Sequence, residues 1–151
     1  MSADAGPSDR VAGFGFAARM RVEIADTDLG GVVYYGNYPR FLDRAVLAFR
    51  RHLGIPLMGT EEHMFMVRRL ELDYRSPSRF DDLLEVHLRV VDVARARHVL
   101  EGRIDVLADE GPRHVMDARV TLAGVRTDTL RPSPVPEQIA AALLGSVPAG
   151  P

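Results

Sequence analysis

The spacing of the apolar residues changes once near the start of the chain, and that change restricts what the chain can fold into. From Phe14 to Ile24 every second residue is apolar (Phe14, Phe16, Ala18, Met20, Val22, Ile24), and Arg19, Arg21 and Glu23 take alternate positions. A period of two predicts a strand with one buried face. Over residues 38 to 53 the period lengthens: Phe41, Ala45, Phe49 and Leu53 form an i,i+4 row, Leu42 and Val46 lie beside it, and Leu47 widens the surface. That is broader than the stripe of an ordinary surface helix, so this helix is expected to be covered on most sides. Asn37 is the expected cap, Pro39 suits the first turn, and Gly54 followed by Pro56 ends the helix.

Beyond the helix the period returns to two. Strands are predicted over residues 64 to 74, 82 to 90, 97 to 107 and 114 to 126, the last with Met116, Ala118, Val120 and Leu122 inward. Short links join the last three, which favours antiparallel neighbours over crossovers. The fold class is therefore α+β, with a curved antiparallel sheet wrapped around a long central helix. The other face of that sheet, still partly apolar, is expected to need a second subunit. Residues 1 to 12 read as a disordered tail, 13 to 131 as the domain, and 132 to 151 as a Pro-rich tail with room for a short helix over Glu137 to Leu144.

Composition removes several chemistries. The chain has 151 residues and no cysteine, which excludes disulfides, a cysteine nucleophile and a thiolate metal site. Every basic residue is Arg, so lysine Schiff-base chemistry is absent. The formal charge of -2 gives no reason to expect a nucleic-acid partner. No apolar run is long enough to span a membrane, and the first residues lack the core of a signal peptide, so a cytoplasmic location is expected. The five histidines (His52, His63, His87, His98, His114) are dispersed, and neither a metal nor a cofactor is expected.

The chemically unusual stretch runs from Asp26 through Thr27, Asp28, Leu29, Gly30, Gly31, Val32, Val33, Tyr34, Tyr35 and Gly36 to Asn37 and Tyr38. It sets two carboxylates in a glycine-containing turn just before a helix. A carboxylate can attack an electrophilic carbonyl or take a proton from water, and unbonded N–H groups at a helix start can stabilise the charge that develops on oxygen. The same aspartates could equally make Asx-turns and cap the helix. Residues alone leave both readings open.

The stretch VEIADTDLGGVVYYGNYPRFLDRA resembles the signature of the hotdog-fold acyl-CoA thioesterases, in the branch of 4-hydroxybenzoyl-CoA thioesterase and the Tol–Pal-associated thioesterase. Weaker similarity extends through Tyr74 to Leu83 and Arg131 to Pro136. The resemblance implies hydrolysis of an acyl-CoA to the acid and free coenzyme A, with Asp28 as nucleophile or base and the Tyr35 N–H polarising the thioester carbonyl. It implies that Gly31, Val32, Val33, Asn37 and Tyr38 shape the substrate site, that Asp26 serves loop architecture, and that the molecule is a homodimer or a homotetramer built as a dimer of dimers. The Tol–Pal branch carries His where this chain has Tyr35, which argues against a His-assisted mechanism. Arginine suits coenzyme A phosphates, and Arg95 and Arg97, near a predicted turn, are the favoured candidates. An acyl carrier protein thioesterase and a non-catalytic acyl-thioester binder are the alternatives.

Overall fold

The structure, a computed structural model, describes residues 4–148. Strands β1 (Ala5–Pro7) and β2 (Phe16–Arg21) precede helix α1 (Tyr38–Leu53), and β3 (His63–Tyr74), β4 (Leu83–Ala94), β5 (Arg97–Ala108), β6 (Gly111–Arg126) and helix α2 (Glu137–Gly145) follow. The six strands form one antiparallel sheet in the order β1-β2-β4-β5-β6-β3.

Helix α1 lies on one face of the sheet because its period matches that face. Phe41, Leu42, Ala45 and Phe49 are buried among Phe16, Ala18, Met20, Leu84, Val86, Leu88, Leu100, Ile104 and Met116. Gly102 makes the approach possible: a Cβ there would stand 3.3 Å from Leu88 and 3.4 Å from Leu42. Gly54 ends the helix in the left-handed conformation, φ 72°, its N–H directed at the carbonyls of Arg50 and Arg51.

The start of the chain differs from the sequence reading. Within the tail expected to be disordered, Ala5, Gly6 and Pro7 pair with Ala18, Ala17 and Phe16. Residues 8 to 15 then turn back, with Ser8 N–H donating to Gly15 O, and the Arg10 side chain reaches the carboxylates of Glu85 and Asp105. A three-residue strand held by long-range pairing and one ion-pair anchor leaves no local periodicity to read. The terminal tail also folds back, burying Ile139 and Leu143 of α2 in the core.

The second correction concerns the outer face of the sheet, which is charged rather than apolar. Opposite charges pair across and along the strands: Arg19 with Glu85 at 3.0 Å and Glu101 with Arg89 at 2.8 Å and Arg119 at 3.2 Å are cross-strand neighbours, and Arg103 pairs with Asp105, two residues on in the same strand, at 2.9 Å. Exposed apolar side chains gather elsewhere, on the edge strand β3 (Met66, Val67, Leu70, Tyr74) and at Leu29 and Phe80.

Candidate active site

The loop between β2 and α1 is built from two short turns braced by a neighbouring segment. The alternation read through Ile24 fails after Val22, which is buried while Ile24 is 74% exposed, because Ile24–Asp26 is a 3₁₀ turn. Thr27 and Val33 then pair across a tight excursion whose tip holds Asp28, Leu29, Gly30 and Gly31, with Asp28 N–H donating to Val32 O at 2.9 Å. Gly31 takes φ +74°, which a side chain would resist. The brace is the segment 78–82: Val33 N–H donates to Ser78 O, Val32 bridges Arg79, and Val22 exchanges backbone bonds with Asp81 and Asp82.

Asp26 and Asp28 are two residues apart and differently placed. Asp26 is buried, its Oδ2 accepts the Glu23 N–H at 2.8 Å, and its carbonyl accepts the Tyr34 N–H and the Asn37 side-chain amide. Its bonds are spent on shaping the loop. Asp28 is exposed, and its carboxylate accepts a single bond, from Gly30 N–H at 2.8 Å. Most of its acceptor capacity faces outward.

Helix α1 begins at Tyr38 and is preceded by a 3₁₀ turn, Tyr35–Asn37. Asn37 therefore does not cap the helix through its side chain. Its amide reaches eleven residues back to Asp26 O at 2.9 Å and ties the helix start to the aspartate loop. Because Tyr35 opens the 3₁₀ turn, its N–H has no intrahelical acceptor, and it bonds no other group among the described residues. The Tyr35 carbonyl accepts the Tyr74 hydroxyl at 2.9 Å, which fixes the peptide orientation. Tyr38 is buried, and its hydroxyl lies 2.6 Å from Ser78 Oγ. Val33, Tyr35, Tyr38, Tyr74 and Ser76 line a cavity of 340 Å³ beside this turn. Tyr74 and Ser78 belong to the segment whose resemblance was weak, and only the tertiary pairing shows that they hold Tyr35 and Tyr38.

The loop thus brings together Asp28, Gly31, Val32, Val33, Tyr35, Asn37 and Tyr38. It does not bring Arg95 and Arg97. These sit at the turn between β4 and β5, whereas the loop adjoins the opposite end of β4, one strand length of about 36 Å away within a protomer. Arg97 is paired with Asp92 at 3.0 Å. No group of three or more His, Asp or Glu side chains suited to a metal occurs among the described residues.

Two buried carboxylates, Glu85 and Asp105, and a carboxylate–histidine contact also lie outside the loop, on the outer sheet face. His87 Nε2 is 2.7 Å from Glu85, and Arg10 contacts Glu85, Asp105 and His87 together. Burial holds the His87 imidazole below its ordinary range, against the pull of Glu85. Burial raises Glu85, but its bonds to Arg10 and Arg19 prevail and keep it below the usual carboxylate range. This cluster is closed by Phe14, whose ring lies 5.8 Å from His87.

A six-stranded antiparallel sheet carrying one long helix, with an exposed aspartate before the helix start, defines the class of hotdog thioesterases. Residues 22–143 match the thioesterase-like superfamily, and the chain belongs to that family. It is 32% identical over 131 residues to the acyl-CoA thioesterase YbgC of Haemophilus influenzae, covering 85% of this chain and 93% of that one. A probable thioesterase from Bartonella henselae superposes with a TM-score of 0.67 at 31% identity, over 80% of this chain and 96% of that one. A thioesterase superfamily structure from Jannaschia superposes with a TM-score of 0.85 over 97% of this chain and 95% of that one, at 16% identity, a likeness of fold. No helix among the described residues is long and apolar enough to cross a membrane.

Proposed function

We propose that this chain hydrolyses an acyl-CoA thioester to the free acid and coenzyme A, with the Asp28 carboxylate and the Tyr35 N–H as its working groups. Relatives named as acyl-CoA thioesterases support the reaction. The observation that carries the site is the contrast in the loop: the Asp28 carboxylate stands in solvent, whereas that of Asp26, two residues before it, is buried and turned to the Glu23 N–H. In the water route Asp28 takes a proton from water as hydroxide bonds to the carbonyl carbon. The carbonyl oxygen gains the charge and is held by the Tyr35 N–H, the C–S bond breaks, and the departing thiolate recovers the proton from Asp28. In the nucleophile route a carboxylate oxygen bonds to the carbonyl carbon and the C–S bond breaks to release the thiolate; water then opens the mixed anhydride, giving the acid and the free Asp28 carboxylate, and the proton it yields goes to the thiolate. Neither route draws on a metal or a further cofactor.

Arg79 is the guanidinium we favour for a coenzyme A phosphate, because its backbone bridges Val32 of the loop and its side chain is exposed. The assembled form in this reading is a homodimer or a dimer of dimers. The free edge of β3, twelve residues with Met66, Val67, Leu70 and Tyr74 exposed, is the surface through which a second copy would pair. Thiol release from a panel of aromatic, short, branched and long acyl-CoAs tests the reaction. Binding of these thioesters without thiol release would overturn it, and light scattering that returns 16.7 kDa at micromolar protein would overturn the assembly.

A further inference from the structure

A cavity of 490 Å³ runs along α1. Its helical wall is Pro39, Leu42, Asp43, Val46, Leu47 and Arg50, at spacings i, i+3, i+4, i+7, i+8 and i+11, a single face about 16 Å long. This is the apolar surface that Leu47 widens beyond an ordinary stripe. One end adjoins the first turn of α1, directly after the Tyr35–Asn37 turn, and the other is Arg50. Met64, Phe65 and Leu122 form part of the opposite wall.

Arg50 is out of keeping with these surroundings. Its Nη1 donates to Leu57 O at 2.7 Å, and its guanidinium carbon lies 5.7 Å from the centre of the Phe65 ring. It forms no ion pair among the described residues. The one acid lining the cavity, Asp43, stands nearly two helical turns back and is exposed. Burial pushes the Arg50 guanidinium below its ordinary value, with Asp43 opposing at a distance. On the far side of Phe65, ring centres 4.5 Å apart, burial and the charge of Arg50 hold His98 down to about 4, so it supplies no second cation at neutral pH. Apart from Asp43 near its other end, the side chains lining the cavity beside the guanidinium are apolar.

We infer that Arg50 selects the acyl group: the chain takes thioesters whose acyl tail ends in an oxygen acceptor, a carboxylate foremost, received by the guanidinium at the far end of the cavity. The inference rests on the thioesterase reading and adds the substrate class. A fork of parallel N–H donors matches a carboxylate bidentately, and a pocket carrying such donors rejects an analogue that leaves them unpaired far more strongly than an apolar pocket rejects a wrong size. The apolar wall of Leu42, Val46 and Leu47, between the helix start and Arg50, accommodates the methylenes.

The test uses straight-chain acyl-CoAs of matched length ending in methyl, hydroxymethyl or carboxylate, with kcat/KM read by thiol release. The wild-type protein should prefer the carboxylate-ended over the methyl-ended member by about tenfold or more, with the hydroxyl form between. Arg50→Met should abolish or reverse that ratio, and Arg50→Lys should restore part of it. If Arg50 merely pins the loop through Leu57, its replacement lowers all substrates in parallel and the ratio stays, which overturns the inference. A wild-type preference for the methyl-ended member overturns it without any variant, and so does a second copy of the chain filling the cavity, seen as loss of the dimer in Arg50→Met with an unchanged ratio. Absence of thiol release from every member would instead defeat the thioesterase reading, and this inference with it.

Discussion

The Asp28 loop and the outer-face cluster of Glu85, His87 and Asp105 hold the same kinds of residue in opposite conditions. By composition the outer cluster is the better candidate for acid-base work, since it has a histidine 2.7 Å from a carboxylate and a second buried carboxylate beside it. Yet all three side chains are inside the protein: arginines hold both carboxylates, and the unbonded ring nitrogen, His87 Nδ1, is buried, with Phe14 against the ring. Asp28 has no such partners, stands in solvent, and belongs to the same turn system as an unbonded backbone N–H. Chemical identity matters less here than unspent hydrogen-bonding capacity at an accessible surface.

The sharpest way to break this contrast is Asp28→Asn, which should bind substrate nearly normally and lose at least about 100-fold in kcat, the scale of a lost proton-transfer or nucleophilic group. A folded variant within about threefold of wild type would end the assignment. The mirror experiment is Arg10→Met, which takes one of two arginine partners from each of two buried carboxylates, leaving Glu85 to Arg19 and Asp105 to Arg103, and should cost about 2 kcal/mol in denaturant unfolding while kcat/KM stays within about twofold. Should activity collapse with native stability, the outer cluster would have to be reconsidered as the working site. A comparable stability effect comes from His98, which stays neutral in the fold with its pKa lowered from 6.5 to about 4. The unfolded chain binds that proton first, so the stabilisation is complete above about pH 6.5 and is lost as pH falls toward 4, by about 3 kcal/mol in all. Unfolding curves at pH 7 and pH 4.5 should lie closer together in His98→Phe than in wild type. Asp26→Asn should lower turnover less than Asp28→Asn and act mainly by loosening the loop, visible as faster amide exchange at Glu23 and Tyr34. Dialysis against EDTA should change nothing measurable; activity that vanishes and returns only with a stoichiometric metal would recast Asp28 as a ligand.

Elements with many turns or pleats were legible in the sequence because each repeats its period several times. Helix α1 occupies the predicted residues, and the four later strands lie within a few positions of theirs. What escaped was set by partners distant in sequence. Ala5–Pro7 pairs with Phe16–Ala18 without any alternation of its own. Ile24 keeps the strand's period but falls in a turn, since Asp26 closes a local bond with Glu23. Asn37 has the composition of a cap, and its amide was instead taken by Asp26 O. Within the candidate site, the Asp28 motif could be located from its residue types and resemblance, whereas the roles of Tyr74 and Ser78 required the register that places residues 74 to 78 behind the loop. Nothing in the sequence sets Arg50 apart from Arg44 and Arg51 of the same helix; the cavity wall does.

The two edges of the sheet differ in a way that bears on how large an assembly can grow. At one side β1 is three residues long and ends in Pro7, a poor template for another strand. At the other, β3 offers twelve residues with no neighbour beyond β6. A sheet with a single receptive margin can be extended by a like sheet only once, because the product presents two blunt margins and nothing to add to. Pairing through β3, if that is the surface a second copy uses, would therefore be self-terminating: it would yield a closed, twofold sheet and, unlike a sheet receptive at both sides, give no route to an open-ended fibre.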